Sequence, residues 1–247
     1  MIKKLNLIFF IWCATVPFFC IILDLVMSTI QPVEEPPGTY GFDKSVINQI
    51  IYWSVWGTLD TFVFGLLNLI HYKWKNMPKW VTGKNNFTRV TTDNVILLII
   101  WLGGLAGNAV VGFNSWYKII KAILEHVITP ILIILYYFII VREKISSSQY
   151  SKKYTWFNLL LVGVYSTFVI SRAILIEYYA PKPFFTQFPY DQMDPSIMGW
   201  PLVVFFFIGF MSSFIFLSIF INYMSNLSID SLNKRKLKKE KVEQKNK

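Results

Sequence analysis

The chain alternates between long apolar runs and short polar connections. Six runs stand out: Leu5–Ile30, Ser45–His71, Val95–Asn114, Ile119–Val141, Phe157–Tyr178 and Gly199–Met224. Each holds about 20 residues or more, enough for a helix to cross roughly 30 Å of hydrocarbon. A helix pairs its own backbone N–H and C=O groups, as lipid demands of any spanning segment. The pattern predicts an all-α integral membrane bundle of six transmembrane helices. It leaves no room for a separate soluble domain. The expected layout is a transmembrane domain over residues 1–225 and a basic tail over 226–247 without fixed structure.

Composition agrees: 54% of the 247 residues are hydrophobic and 15% charged. The net charge of +10 would suit a nucleic-acid partner, but the basic residues sit beside the ends of the apolar runs. A membrane surface explains that placement and nucleic acid does not. Cys13 and Cys20 both lie in the first run, so neither a disulfide framework nor a Cys-based zinc site is expected. The opening Met1-Ile2-Lys3-Lys4 imitates a signal peptide, but the run is too long and lacks a small-residue cleavage site. It is read as the first helix.

The connections set the orientation. The first holds Glu34, Glu35 and Asp43, and the fifth holds Asp191 and Asp194. The second carries Lys73, Lys75, Lys79, Lys84 and Arg89, the fourth Arg142, Lys144, Lys152 and Lys153, and the tail is rich in Lys. With six spans all the basic segments fall on one side. The positive-inside tendency then places both termini in the cytoplasm and the protein in the cell membrane.

Polar residues inside spans are costly and mark sites. Asp24, Thr58, Asp60, Thr61, Asn108, His126 and Arg172 all fall in the outer half, the inner half being far more apolar. Five helices contributing to one depth band predict a shared polar pocket under the outer leaflet. Ser54, Thr58, Thr61, Gly65 and Asn68 form one stripe at helical spacing. Pro130 frees a carbonyl one turn earlier, near His126. An imidazole there suits a general base for a Thr or Ser hydroxyl, and equally a hydrogen-bonded core residue. No metal ligand set is seen.

The stretch His126-Val-Ile-Thr-Pro130 resembles the histidine helix of the androgen-induced protein family and its bacterial six-span relatives. Trp53-Ser54-Val55-Trp56-Gly57-Thr58-Leu59-Asp60-Thr61 resembles that family's aromatic-rich segment with its threonine. Ser171-Arg172, then Phe188-Pro189-Tyr190-Asp191 and Asp194, resembles its arginine and the loop before its last helix. The order holds over residues 45–225. The resemblance implies six helices around a polar pocket and an intramembrane threonine hydrolase of fatty acid esters of hydroxy fatty acids. The matching catalytic positions are Thr58 and His126.

The leading expectation is a lipid-ester hydrolase needing no cofactor, with membrane lipids as surroundings and a lipid ester or small polar ligand as partner. Thr58 attacks, His126 takes its proton, and Asp24 or Asp60 orients the histidine. Arg172 stabilises an oxyanion or binds a substrate carboxylate, with Asn108 and Thr61 lining the pocket. Arg172 is expected to pair with Asp191 or Asp194 as the loop folds inward. The competing expectations are a substrate-binding subunit of a membrane transporter and a structural membrane protein. Against transport, the sequence offers no half-repeat or broken helix.

Overall fold

The computed structural model describes residues 2–31, 42–75, 77–106, 113, 115–141, 143–179 and 187–245. Eleven helices follow one another: α1 (Ile2–Ile30), α2 (Phe42–Ile50), α3 (Trp53–Trp74), α4 (Lys79–Thr82), α5 (Lys84–Ala106), α6 (Trp116–Ile123), α7 (Thr129–Ile140), α8 (Ser147–Lys153), α9 (Asn158–Tyr179), α10 (Pro195–Met198) and α11 (Trp200–Lys245). A π turn, Leu124–Ile128, joins α6 to α7. No strand occurs among the described residues. Among the described residues six segments are long and apolar enough to cross a membrane: Lys3–Ile30, Trp53–Trp74, Lys84–Ala106, Trp116–Ile140, Thr155–Tyr179 and Trp200–Lys234. The protein is a multi-pass, all-helical membrane protein.

Neighbouring spans run antiparallel. Thr61 of α3 meets Asn94 of α5 while Phe64 meets Phe87. Thr88 of α5 meets Tyr137 of α7 while Trp101 meets His126. The end of the bundle bearing α4 and α8, with Lys79, Lys152 and Lys153, is called the basic face below. The opposite, far face bears α2 and α10.

Lipid supplies no hydrophobic push between helices, so close packing and polar contacts must hold them together. α1 and α3 touch most closely at Gly65. A Cβ there would lie 2.5 Å from the Ala14 backbone nitrogen and 2.7 Å from Cys13 Cβ. Beside this contact Phe9 stacks on Tyr136 of α7, with centroids 3.7 Å apart. Toward the far face Trp53 packs edge-on against Tyr165, Phe210 and Phe214, tying α3 to α9 and α11.

Four expectations are corrected. The second span breaks at Ile51–Tyr52, separating α2 from α3. Tyr52 is extended, with φ −86° and ψ 137°. Side chains take over the lost backbone bonds: Trp56 Nε1 donates to the Ile50 carbonyl at 2.7 Å and the Tyr165 hydroxyl to that of Ile51 at 2.9 Å. The third span begins at Lys84 rather than Val95. Its polar first half stays helical because Thr88, Thr91 and Thr92 donate to carbonyls one turn back and face partner helices, all three being buried.

The fourth span carries the π turn. The Thr129 N–H reaches past the usual acceptor to the Leu124 carbonyl. The widened turn lies immediately before Pro130, which cannot donate and whose ring crowds the preceding turn. Finally, α11 continues to Lys245, where an unstructured tail was expected. Residues 226–245 contain no Gly or Pro and are rich in Leu, Lys, Glu and Gln, all good helix formers. Ile229 is buried, and Asp230 pairs with Lys144.

Candidate functional site

In the far half of the bundle two carboxylates meet two lysines. Asp24 of α1, 2% exposed, lies 2.5 Å from Lys121 Nζ and 3.4 Å from Lys118 Nζ. The Ser28 hydroxyl donates to its Oδ1 at 3.0 Å. One turn along the fourth span, Glu125 lies 3.8 Å from Lys121 and is buried. Lys118 and Lys121 both lie on α6, the first part of the fourth span. Their signal was the spacing of Lys121 and Glu125, four apart on one helical face.

His126 follows on the π turn. Its ring lies nearly parallel to that of Trp101 from α5, with centroids 6.0 Å apart and 13° between planes. Its Nδ1 is buried and has no hydrogen-bond partner among the described residues. α3 packs against the same turn and contributes Thr58, 4% exposed, whose hydroxyl also has no partner. Thr15, Thr29, Thr61, Thr88, Thr91 and Thr92 each turn the hydroxyl back onto a carbonyl four residues earlier, and Thr58 does not. Thr58 and His126 therefore sit on touching elements without a hydrogen bond between them.

The carboxylates expected to orient His126 are held elsewhere. Asp24 faces the two lysines. Asp60 is held by Arg89 at 2.8 Å, so it belongs to a second charged group on α3 and α5. Thr61 donates to the Gly57 carbonyl and accepts from Asn94 Nδ2, both at 2.9 Å. Polarity alone puts Arg89 and Asp93 in the connection before Val95, whereas both lie on α5. Their spacing of four residues was the available signal.

The connection before α11 folds back onto the far face, as expected, but by other contacts. Arg172 Nη1 donates to the Gln187 carbonyl at 3.0 Å. Among the described residues Arg172 is seen on the Gln187 carbonyl rather than on Asp191 or Asp194. Asp194 instead caps α10, accepting from the Ser196 N–H at 2.8 Å and its hydroxyl at 2.6 Å, and Asp191 is exposed. Carboxylates at a helix start are drawn to free N–H groups. Asn108 lies outside the described residues.

Tyr190 of this connection enters the bundle, and its hydroxyl oxygen accepts the Trp53 backbone N–H at 3.2 Å. Burial above all raises the Tyr190 hydroxyl above the usual phenol range. The bond from Trp53 works in the opposite sense, and the nearby Tyr52 and Glu125 add smaller upward pushes.

Two grooves of about 490 and 550 Å³ run along α5 and α11 and along α9. Both are apolar, and neither is lined by Thr58, His126 or Arg172. No family model matches this chain, nor does any curated protein or solved structure.

Proposed function

We propose that this protein is an intramembrane hydrolase of lipid esters, with Thr58 as nucleophile and His126 as its base. The observation that carries the reading is the pair of buried, unpartnered groups on touching elements: the Thr58 hydroxyl and His126 Nδ1. Buried polar atoms normally have partners, and exceptions call for a reason such as chemistry. A π turn beside the histidine adds support, since such turns concentrate at functional sites. The resemblance to the androgen-induced family points to the same two residues.

In this mechanism the Thr58 oxygen attacks the acyl carbonyl and its proton passes to the His126 imidazole. The tetrahedral intermediate collapses, and the alcohol leaves with the proton from the imidazolium. Water, deprotonated by His126, then attacks the acyl-Thr58 ester and releases the fatty acid. Arg172, at the root of the covering connection, serves the substrate carboxylate, with Asp191 and Asp194 at the mouth. The basic face lies in the cytoplasm of the cell membrane, which puts this chemistry under the outer leaflet.

The test is hydrolysis of a fatty acid ester of a hydroxy fatty acid by the purified protein in micelles. Thr58→Ala and His126→Ala should each lower the rate by about 10²–10⁴-fold. Equal rates in both variants and the unaltered protein would refute the mechanism. A second reading, the binding subunit of a small-molecule transporter, is favoured by the break between α2 and α3, because discontinuous helices line many transport sites. Co-purification with a transport ATPase, and a polar metabolite bound in the absence of hydrolysis, distinguishes it.

A further inference from the structure

Between the middle of the bundle and its basic face lies a group of charges that the hydrolytic reading does not use. Arg89 Nη2 lies 2.8 Å from Asp60 Oδ1, and Nη1 donates to Asp93 Oδ2 at 3.1 Å. Arg89 Nε is already committed to Asn86 Oδ1 at 3.0 Å. The side chains are 19%, 13% and 1% exposed for Arg89, Asp60 and Asp93. Two ionised carboxylates against one guanidinium would leave a net negative charge among the spans, which an apolar interior resists.

Both carboxyl groups thus lie against the same guanidinium, Asp60 at 2.8 Å and Asp93 at 3.1 Å. The oxygens that Arg89 leaves over, Asp60 Oδ2 and Asp93 Oδ1, are buried and find no donor among the described residues. The neighbouring amide cannot serve them, because Asn94 Nδ2 donates to Thr61 Oγ1 and to the Val90 carbonyl. Like charges sharing one buried site resist ionising together. A single proton removes the excess charge and gives one orphaned oxygen a hydrogen.

We propose that Asp60 and Asp93 form a proton-binding site, in which the pair holds one proton and Arg89 balances the one remaining negative charge. The group is then neutral. Loss of the proton leaves a charge of −1 between α3 and α5 and weakens their contact. The other titratable groups nearby are few. Tyr150 reaches in from α8 at the basic face, and the charges of Asp93 and Arg89 act on it. Tyr137 of α7 is bonded to Thr88 at 2.7 Å. Lys84, a turn nearer the basic face, donates to Asn226 of α11 at 2.9 Å, with the Glu143 carboxylate at its backbone N–H. Tyr150 accepts from Asn158 Nδ2 at 3.3 Å, giving the pair a polar neighbour on the basic-face side.

The test is infrared spectroscopy of the full chain in micelles, with aspartate carboxyls labelled with carbon-13. At neutral pH the protein should show the isotope-shifted C=O stretch of one protonated aspartic acid. The band should vanish in Asp60→Asn and in Asp93→Asn, where a single carboxylate faces Arg89, and persist in Asp230→Asn. If the asparagine variants do not fold, Asp93→Glu keeps the acid but removes its label. The shifted band should then weaken or move while an unshifted acid band appears. Absence of the band from the unaltered protein overturns the proposal. So does a labelled band unchanged in every variant of Asp60 and Asp93.

Discussion

Tyr190 closes the gap left where the second span breaks. Its hydroxyl oxygen takes the Trp53 backbone N–H at 3.2 Å, across 137 positions of sequence. Tyr165 does the complementary job, donating to the Ile51 carbonyl. The start of α3 is thus capped by residues from distant elements rather than by its own preceding side chain. Tyr190→Phe removes the acceptor and leaves a buried N–H. It should lower stability in micelles by about 1–3 kcal/mol, read as a shift of the thermal unfolding midpoint. An unchanged midpoint would mean that the hydroxyl contributes nothing to the break.

Arg89 should be the least replaceable charge in the bundle. Arg89→Gln leaves Asp60 and Asp93 without their cation in an apolar interior. Breaking a buried pair from one side costs about 3–5 kcal/mol. Asp60→Asn keeps the shape and leaves Asp93 to face Arg89, so it should cost clearly less. Unfolding of the two variants by denaturant, side by side, checks the order. Equal losses would contradict the assignment of Arg89 as the shared partner.

These two relationships show what the sequence could and could not display. Hydropathy reported the six spans because it senses lipid-facing residues such as Phe205 and Leu160, both strongly exposed. It misplaced the third span because Lys84–Asn94 looks like a loop when only polarity is read. Thr88, Thr91, Thr92 and Asn94 are buried, so their polarity is spent inside the bundle. The break at Ile51–Tyr52 carries no Gly or Pro, and its caps lie far away in sequence. Thr58 and His126 were legible as polar residues at similar depth. Their unpartnered state, and the capture of Asp24 by Lys118 and Lys121, were not, since both depend on how helices rotate against one another.

Gly65 should tolerate no side chain. Its missing Cβ would fall within 2.7 Å of three atoms of the Cys13–Ala14 backbone and side chain. α1 would have to move away, and overpacking of this kind costs about 1–3 kcal/mol or more. Gly65→Val should lower the unfolding midpoint. Gly103→Val, where a Cβ meets nothing within 4 Å, should leave it unchanged.

The surface pair on the last helix should matter little. Lys144 and Asp230 are 46% and 49% exposed, so water and salt screen their attraction. Exposed pairs contribute about 0–1 kcal/mol, and this one belongs at the low end after screening. Asp230→Ala should leave thermal unfolding unchanged. A clear loss would instead mean that α11 beyond Met224 is held to the rest of the bundle by that contact.

Pro130 gives the sharpest separation of folding from chemistry. The π turn before it places one extra residue in the helix, which rotates everything on its far-face side by about 100° relative to a regular α-helix. His126, Glu125 and Lys121 owe their directions to that rotation. In Pro130→Ala the restored N–H at position 130 can bond the His126 carbonyl, and the turn can tighten to a regular helix. The bundle should remain folded, because residue 130 itself faces a packed interior that alanine also fits. His126 would then leave its place against Trp101. If His126 is the base for Thr58, ester hydrolysis should fall by about 10²-fold or more with unfolding little changed. Full activity in a folded Pro130→Ala protein, together with nuclear magnetic resonance showing the imidazole displaced, would separate His126 from the reaction.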